Sequence, residues 1–349
     1  MKLPKMQSPI RVVLFVALLI LVIVFAREKF FSEEFEIPQG ATTSLSENMT
    51  DKKQTVEPKQ IFVTDGVKHT IPLNEIVGGG PPKDGIPSID DPKFVSIAEA
   101  NKFVSDEEPG IAINIDGVQR FYPFQILVWH EIVNDTINGK RILISYCPLC
   151  LTAIVFDPVV NGKQVEFGVS GKLWNSNLLM YDRQTDSLWS QALGEAVLGE
   201  RTTDKLEVLA SDILKFGVWK SANTKGEVLS RDTGATRFYG QDPYGDYYTN
   251  NSALFFPVAT ADDRLERKDF VLGIVINGQA KAYYTEAVKK VGRVEEKFAG
   301  KTIIAEYDPS LDVVRIFSAE GGKKLVRINP FGSFWFSWVA SHPDTELYK

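Results

Sequence analysis

The chain has 349 residues, 44% of them hydrophobic and 24% charged, which is ordinary globular material for one large domain or two moderate ones. That balance excludes a fibre or a mainly disordered protein. A formal charge of −6 argues against a general nucleic-acid surface, because phosphate binding needs clustered lysine and arginine.

The N-terminus carries Lys2, Lys5 and Arg11 ahead of an unbroken apolar run from Val12 to Ala26, closed by Arg27, Glu28 and Lys29. With Ile10 and snorkelling Arg11 and Arg27, the run approaches the roughly 17 to 25 residues of a membrane helix. No small-residue cleavage site follows, so residues 10–27 are expected to be an uncleaved transmembrane signal anchor. The basic residues put 1–9 in the cytoplasm and the body outside, as a single-pass membrane protein facing the periplasm or the exterior. No cysteine follows the run, which excludes a lipoprotein anchor.

Residues 28–60 are polar, dotted with proline and glycine, and read as a flexible tether. The globular region, 61–349, begins near Ile61. Gly78-Gly79-Gly80-Pro81-Pro82 is a turn-rich loop, since no P-loop lysine or helix signal follows it.

A repeat organises the rest. Residues 111–156 align without a gap on 272–317, with identity at eleven of 46 positions, among them Gly117/Gly278, Tyr122/Tyr283, Tyr146/Tyr307 and Pro148/Pro309. Each copy reads strand, Asp/Asn-Gly turn, strand, helix, Gly-Lys turn, strand, tight turn, strand. The expected fold is therefore mainly β with short helices, an α+β body of two related β-rich halves. Between the copies, Arg183 to Asp186 reads as a hairpin connection, and Tyr239 to Tyr248 as an aromatic loop used for packing.

The phrases GGGPPKDGIPSIDDPKF, WHEIVND, SYCPLC, FGVSGKLWNSNLLMYDRQTDSLWSQ and FWFSWVASHPDTELY together resemble the prokaryotic family known as domain of unknown function 3179 (DUF3179). The resemblance spans nearly everything after the tether. It implies a domain extent rather than a mechanism, since the family has no settled activity. Members usually carry glycine after the second cysteine, where this chain has Leu151. Glycine there takes a positive φ without strain, so leucine weighs against a tight metal knuckle and towards a wider turn or a disulfide.

Both cysteines of the chain, Cys147 and Cys150, sit in that phrase. A strand-like sequence follows Cys150, which disfavours a thioredoxin-type helix, and Leu151 stands where a c-type haem site needs histidine. No nucleotide fingerprint appears. Pro123 suits a helix start, placing Ile126, Trp129, His130 and Val133 on one face. The second copy has Asp308, Leu311 and Val291 where the first has Cys147, Cys150 and His130, so all three soft ligands belong to one copy. This favours a zinc or copper site built by Cys147, Cys150 and His130, with Met180, Glu131, Asp135 or His69 as further ligand or support. Glu131 and Asp135 otherwise read as solvated helix charges. Thiol-disulfide exchange and a non-catalytic interaction ectodomain with a structural disulfide are the alternatives. Neither substrate nor protein partner is legible.

Overall fold

The computed structural model describes residues 59–320 and 324–349. The expected anchor at 10–27, the segment before it and nearly all of the tether lie outside the described residues. Among the described residues no helix is long and apolar enough to cross a membrane.

The body is mainly β, and the sequence repeat is also a structural one. Strands Pro109–Ile115, Val118–Pro123, Ile132–Ile137, Lys140–Cys147 and Thr152–Asp157 recur as Phe270–Ile276, Gln279–Tyr284, Arg293–Phe298, Lys301–Asp308 and Val313–Glu320. Every start is displaced by 161 residues, the difference between 270 and 109. Two-residue hairpin turns join the strands, and both central residues of each take positive φ: Asp116-Gly117 and Asn138-Gly139 in the first half, Asn277-Gly278 and Ala299-Gly300 in the second. Such turns match the right-handed twist of the flanking strands, which is why Asx-Gly marks them. The cores correspond as well: Ile113, Tyr122, Ile142, Ile144 and Val155 occupy the places of Ile274, Tyr283, Ile303, Ala305 and Ile316.

The repeat extends beyond the aligned windows. Strand Asp212–Lys215, helix Phe216–Ala222 and strand Glu227–Leu229 recur 119 residues on as Phe331–Phe334, Trp335–Ser341 and Glu346–Tyr348. In each half the first of these strands pairs antiparallel with the opening strand of the unit, and the last pairs parallel with the second. Each half is thus two small sheets enclosing an apolar layer, with a helix packed outside.

The displacement falls from 161 to 119 because the first half carries 42 more residues after Asp157. That insertion supplies Phe167–Trp174, Asn177–Asp182, Leu188–Ser190 and Glu195–Leu198. They form a seven-stranded sheet with Phe62–Thr64 and Val77–Gly78 at its edges and Val67–His69 beside the first of these. Its inner residues Val169, Leu178, Met180 and Trp189 pack on Cys147, Cys150, Leu143 and Phe156. The extra sheet therefore covers one particular turn of the first half.

One expected element is shorter than its pattern suggested. The helix after Pro123 is only Phe124–Leu127, residues 128–130 form a turn, and Val133 already lies in a strand. Ile126, Trp129, His130 and Val133 therefore do not share one helix face. The backbone turns out of the helix at Glu131, whose φ is 59°.

Candidate functional site

Cys147 ends a strand and Cys150 closes the turn that follows it. The amide of Cys150 donates to the carbonyl of Cys147 at 3.3 Å, and the amide of Leu151 donates to that of Pro148 at 3.3 Å. Leu151 then takes φ 51°, as Asp312 does at 53° in the twin turn. The wider turn expected for leucine is not formed; the side chain occupies the left-handed region and packs, half-buried, between two apolar clusters.

The two turns share a backbone and a proline, Pro148 and Pro309, but differ in burial. Pro309, Ser310 and Asp312 are exposed, whereas Cys147 is 1% and Cys150 0% exposed beneath the inserted sheet. Both are free thiols, with the sulfurs 3.6 Å apart. Cys150 Sγ lies 3.1 Å from the Ser176 carbonyl, to which its S–H donates, and Asn177 Nδ2 donates to the same sulfur at 3.5 Å. Asn177 is itself held by Gln191 Oε1 at 3.0 Å and by the amide of Ala192 at 3.0 Å. Gln191 in turn donates to Ser145 and to the Thr152 carbonyl, so a buried polar chain reaches from the inserted sheet to the cysteine turn. Buried polar groups are tolerable only when satisfied, and this chain is.

The thiols are not equivalent. Burial pushes Cys150 up, but donors to its sulfur, the Cys147 thiol first and Asn177 Nδ2 among the others, outweigh burial and hold it below the ordinary thiol value. Cys147 is pushed well above that value, by burial first and then by the neighbouring Cys150 and the Glu131 carboxyl. Of the two, Cys150 is the thiol more easily ionised.

Glu131 has its carboxyl within electrostatic reach of Cys147. It is 8% exposed, and burial, with no ion pair or hydrogen bond to offset it, pushes its carboxyl up to about 8. The twin position is Gly292 at φ 80°, and the two residues make the same backbone bond, accepting from Tyr146 and Tyr307 respectively. A buried acid thus stands in a left-handed position that the second copy gives to glycine. Non-glycine residues there cost of order 1–3 kcal/mol and gather at functional sites.

The aromatic loop closes the cluster. Tyr247 Oη donates to the Leu149 carbonyl at 2.9 Å, and Tyr244, Tyr248, Leu254 and Phe256 pack against the cysteine core. Ser176 Oγ fastens the loop again through the Phe256 carbonyl at 2.9 Å. Beyond packing, the loop is hydrogen-bonded to the cysteine turn itself.

The remaining expected ligands lie in other arrangements. His130 is buried, but its Nδ1 is 2.7 Å from the Pro87 carbonyl and its Nε2 is 2.6 Å from Tyr239 Oη. Both ring nitrogens are in use, so His130 is a core histidine that fastens the start of the aromatic loop. Asp135 is not a solvated helix charge but a strand residue, bonded to Arg120 Nη1 at 2.7 and 2.6 Å and to Tyr122 Oη at 2.5 Å. His69 uses its nitrogens on Ile71 and Thr64, in a strand paired on both sides. Met180 shares the cysteines' apolar cluster, on a strand between Val169 and Trp189. Among the described residues, no three His, Cys, Asp or Glu side chains form a group able to hold a metal ion.

A family model described as "Protein of unknown function (DUF3179)" matches residues 83–345, which takes in both halves, the inserted sheet, the cysteine turn and its lid. The chain belongs to the DUF3179 family. No curated protein and no solved structure matches it. Within this DUF3179 domain the two cysteines stand out from the sequence alone, whereas Glu131 is expected there only as one of several further ligands or as a solvated helix charge. The signal for it was present in the repeat, as a charged residue aligned with Gly292, but it becomes legible only once that glycine is seen to need positive φ.

Proposed function

We propose that Cys147 and Cys150 form a redox couple for thiol-disulfide exchange, with Glu131 as the proton carrier of Cys147. The observation that carries this reading is the pair of free thiols 3.6 Å apart, with the buried Glu131 carboxyl within electrostatic reach of Cys147.

In the proposed cycle the Cys150 thiolate attacks one sulfur of a partner disulfide. A Cys150–partner bond forms, the partner's own S–S bond breaks, and the first partner thiolate leaves and takes a proton from water. Cys147 then passes its proton to the ionised Glu131 and attacks the Cys150 sulfur. The Cys147–Cys150 bond forms, the second partner thiolate leaves, and Glu131 returns the proton to it. Two electrons pass to the partner, which ends as two thiols while the protein ends as a disulfide. With a carboxyl value of about 8, roughly a tenth of Glu131 is ionised at pH 7, so it accepts and returns a proton near neutrality. Consumption of the Cys150 charge in the first step also removes one of the causes that hold the Cys147 proton.

The setting proposed for this chemistry is the outer face of a membrane, on the apolar run at 10–27, where disulfides form and persist. The test equilibrates the purified chain in glutathione buffers of graded potential and counts free thiols by mass spectrometry after alkylation. A reversible loss of both thiols together, absent from a Cys147→Ser, Cys150→Ser double variant, is expected. Thiols that stay unchanged across the whole range would sink the proposal. The second reading, a soft metal ion, rests on a separation that also suits two sulfurs at adjacent corners of a zinc tetrahedron. Zinc or copper in the wild type above the level of the double variant would favour it.

A further inference from the structure

The cysteine turn is met by a second tight turn, which comes from the sheet inserted into the first half. Trp174 pairs with Asn177 across it, and the two residues between them, Asn175 and Ser176, take φ 52° and 60°, positions that hairpins usually give to asparagine and glycine. The turn is polar, and Asn175, Ser176 and Asn177 are all buried. Asn175 is fastened by the Ala259 amide and the Ala340 carbonyl, and Ser176 by the Phe256 carbonyl. Two groups of this turn face the thiols. The Ser176 carbonyl lies 3.1 Å from Cys150 Sγ and 3.9 Å from Cys147 Sγ, and the Asn177 side-chain amide lies 3.5 Å from Cys150 Sγ.

The orientation of that amide is fixed by backbone groups, which cannot exchange donor and acceptor roles. The Ala192 N–H donates to Asn177 Oδ1 at 3.0 Å, so the NH2 end of the side chain is the one that faces Cys150 Sγ and Gln191 Oε1. Gln191 is fixed in the same way. Its NH2 donates to the Thr152 carbonyl at 3.0 Å and to Ser145 Oγ at 3.1 Å, which leaves its oxygen for Asn177. One hydrogen of the Asn177 amide is thus taken by Gln191, and the other is aimed at the sulfur.

The carbonyl and the amide suit the two states of one sulfur. A thiol can donate to the Ser176 carbonyl, whereas a thiolate cannot and needs a donor instead. The titratable neighbours Cys147 and Tyr247 bring no positive charge to it, and the Cys147 proton is itself given up in the second step of the exchange cycle. The Asn177 N–H is a neutral donor that stays in place through both steps. A buried charge depends on donors fixed in this way, because burial keeps bulk water from supplying them.

We infer that Asn177 is the residue that stabilises the Cys150 thiolate and that Gln191 is the positioning residue that aims it, an assignment whose use in catalysis rests on the thiol-exchange reading above. The test follows the ultraviolet absorbance of the thiolate against pH in the full chain, with Cys150→Ser as the blank. Asn177→Asp exchanges only the NH2 for oxygen and keeps the acceptor for Ala192, and Asn177→Ala removes the amide altogether. Both should raise the Cys150 midpoint by about one pH unit or more, a roughly tenfold loss of thiolate at a fixed pH below it. Gln191→Leu, which leaves the sulfur's own contacts untouched, should raise it by less. A merely structural Asn177 would instead lower the melting temperature of its variants and leave the midpoint where it is, and that result overturns the assignment. A second measurement needs no substitution at this turn. In nitrogen-resolved NMR spectra of the wild type, the Asn177 side-chain amide should shift with the Cys150 midpoint and should stop doing so in Cys150→Ser; an amide that stays still through the Cys150 titration likewise overturns it. Neither readout involves a partner disulfide. A midpoint governed by Asn177 in a chain whose thiols stay inert in glutathione buffers would therefore uphold this assignment and remove the exchange reading, and thiols that exchange with a midpoint indifferent to Asn177 would do the reverse.

Discussion

Glu131 bears two costs at one position, a backbone φ of 59° and a carboxyl buried without a partner. Its folded-state value of about 8 lies above the ordinary 4.5, so the folded protein holds this proton more tightly than the unfolded chain does. Stability from this group is therefore full below about pH 4.5 and is lost as pH rises through about 8, by at most about 5 kcal/mol. Glu131→Gln keeps the shape and removes the titration. Urea unfolding at pH 5 and pH 9 should show the wild type losing a few kcal/mol more than the variant between the two; equal losses would mean that the carboxyl is solvated. Leu151 faces the same backbone cost for a different return. Its φ of 51° costs about 1 kcal/mol, which burial between two apolar clusters offsets. At this scale the cysteines could be read from the sequence, because no other thiols compete for attention. The engagement of His130 with Pro87 and Tyr239 could not, since both partners are distant in sequence and one of them lies in an irregular loop.

The elements were legible wherever a local rule governs them. Asx-Gly turns and alternating apolar residues mark the strands of both copies, and their bounds agree position by position across the repeat. The second part of the repeat was hidden because a 42-residue insertion breaks the spacing in the first half only. That insertion, together with the aromatic loop, separates a buried, thiol-bearing turn from its exposed twin. The loop is fastened at few points, of which the Tyr247 hydroxyl on the Leu149 carbonyl is the one directly over the turn. Exchange with a partner disulfide requires the loop to lift, since neither sulfur is accessible when it is closed. Tyr247→Phe removes one hydrogen bond, worth about 1 kcal/mol, from the closed form and leaves the ring in place. The rate at which a thiol reagent labels Cys150 in the native protein should rise about fivefold, with the melting temperature changed by only a few degrees. Unchanged labelling would show that access does not run through this loop.

The two halves are joined at several points along their length. Asp212, at the start of a first-half strand, receives Arg315 Nη2 at 2.7 Å and Arg327 Nη2 at 2.6 Å from the second half. The amide of Phe334 donates to the Cys150 carbonyl at 2.9 Å, and Phe334 and Phe336 lie in the same apolar cluster as the cysteines. The ion cluster is largely shielded, with Asp212 at 15% and the arginines at 24% and 28% exposure, so removing its carboxylate leaves Arg315 with only Asp308 at 3.5 Å and Arg327 with only the Ser211 carbonyl at 2.7 Å. Asp212→Ala should therefore cost about 2–3 kcal/mol, more than an exposed ion pair is worth and less than a fully buried one. Because the cysteine cluster spans both halves independently of Asp212, the loss should lower the unfolding midpoint without dividing the transition. Hydrogen exchange followed by mass spectrometry across a urea series checks this directly. Peptides from 109–157 and 270–318 should lose protection at the same urea concentration in the wild type, and together again, at a lower concentration, in the variant. If the second half lost protection first in either protein, each half would be stable on its own terms, and the thiol turn would belong to one half rather than to the joint between them.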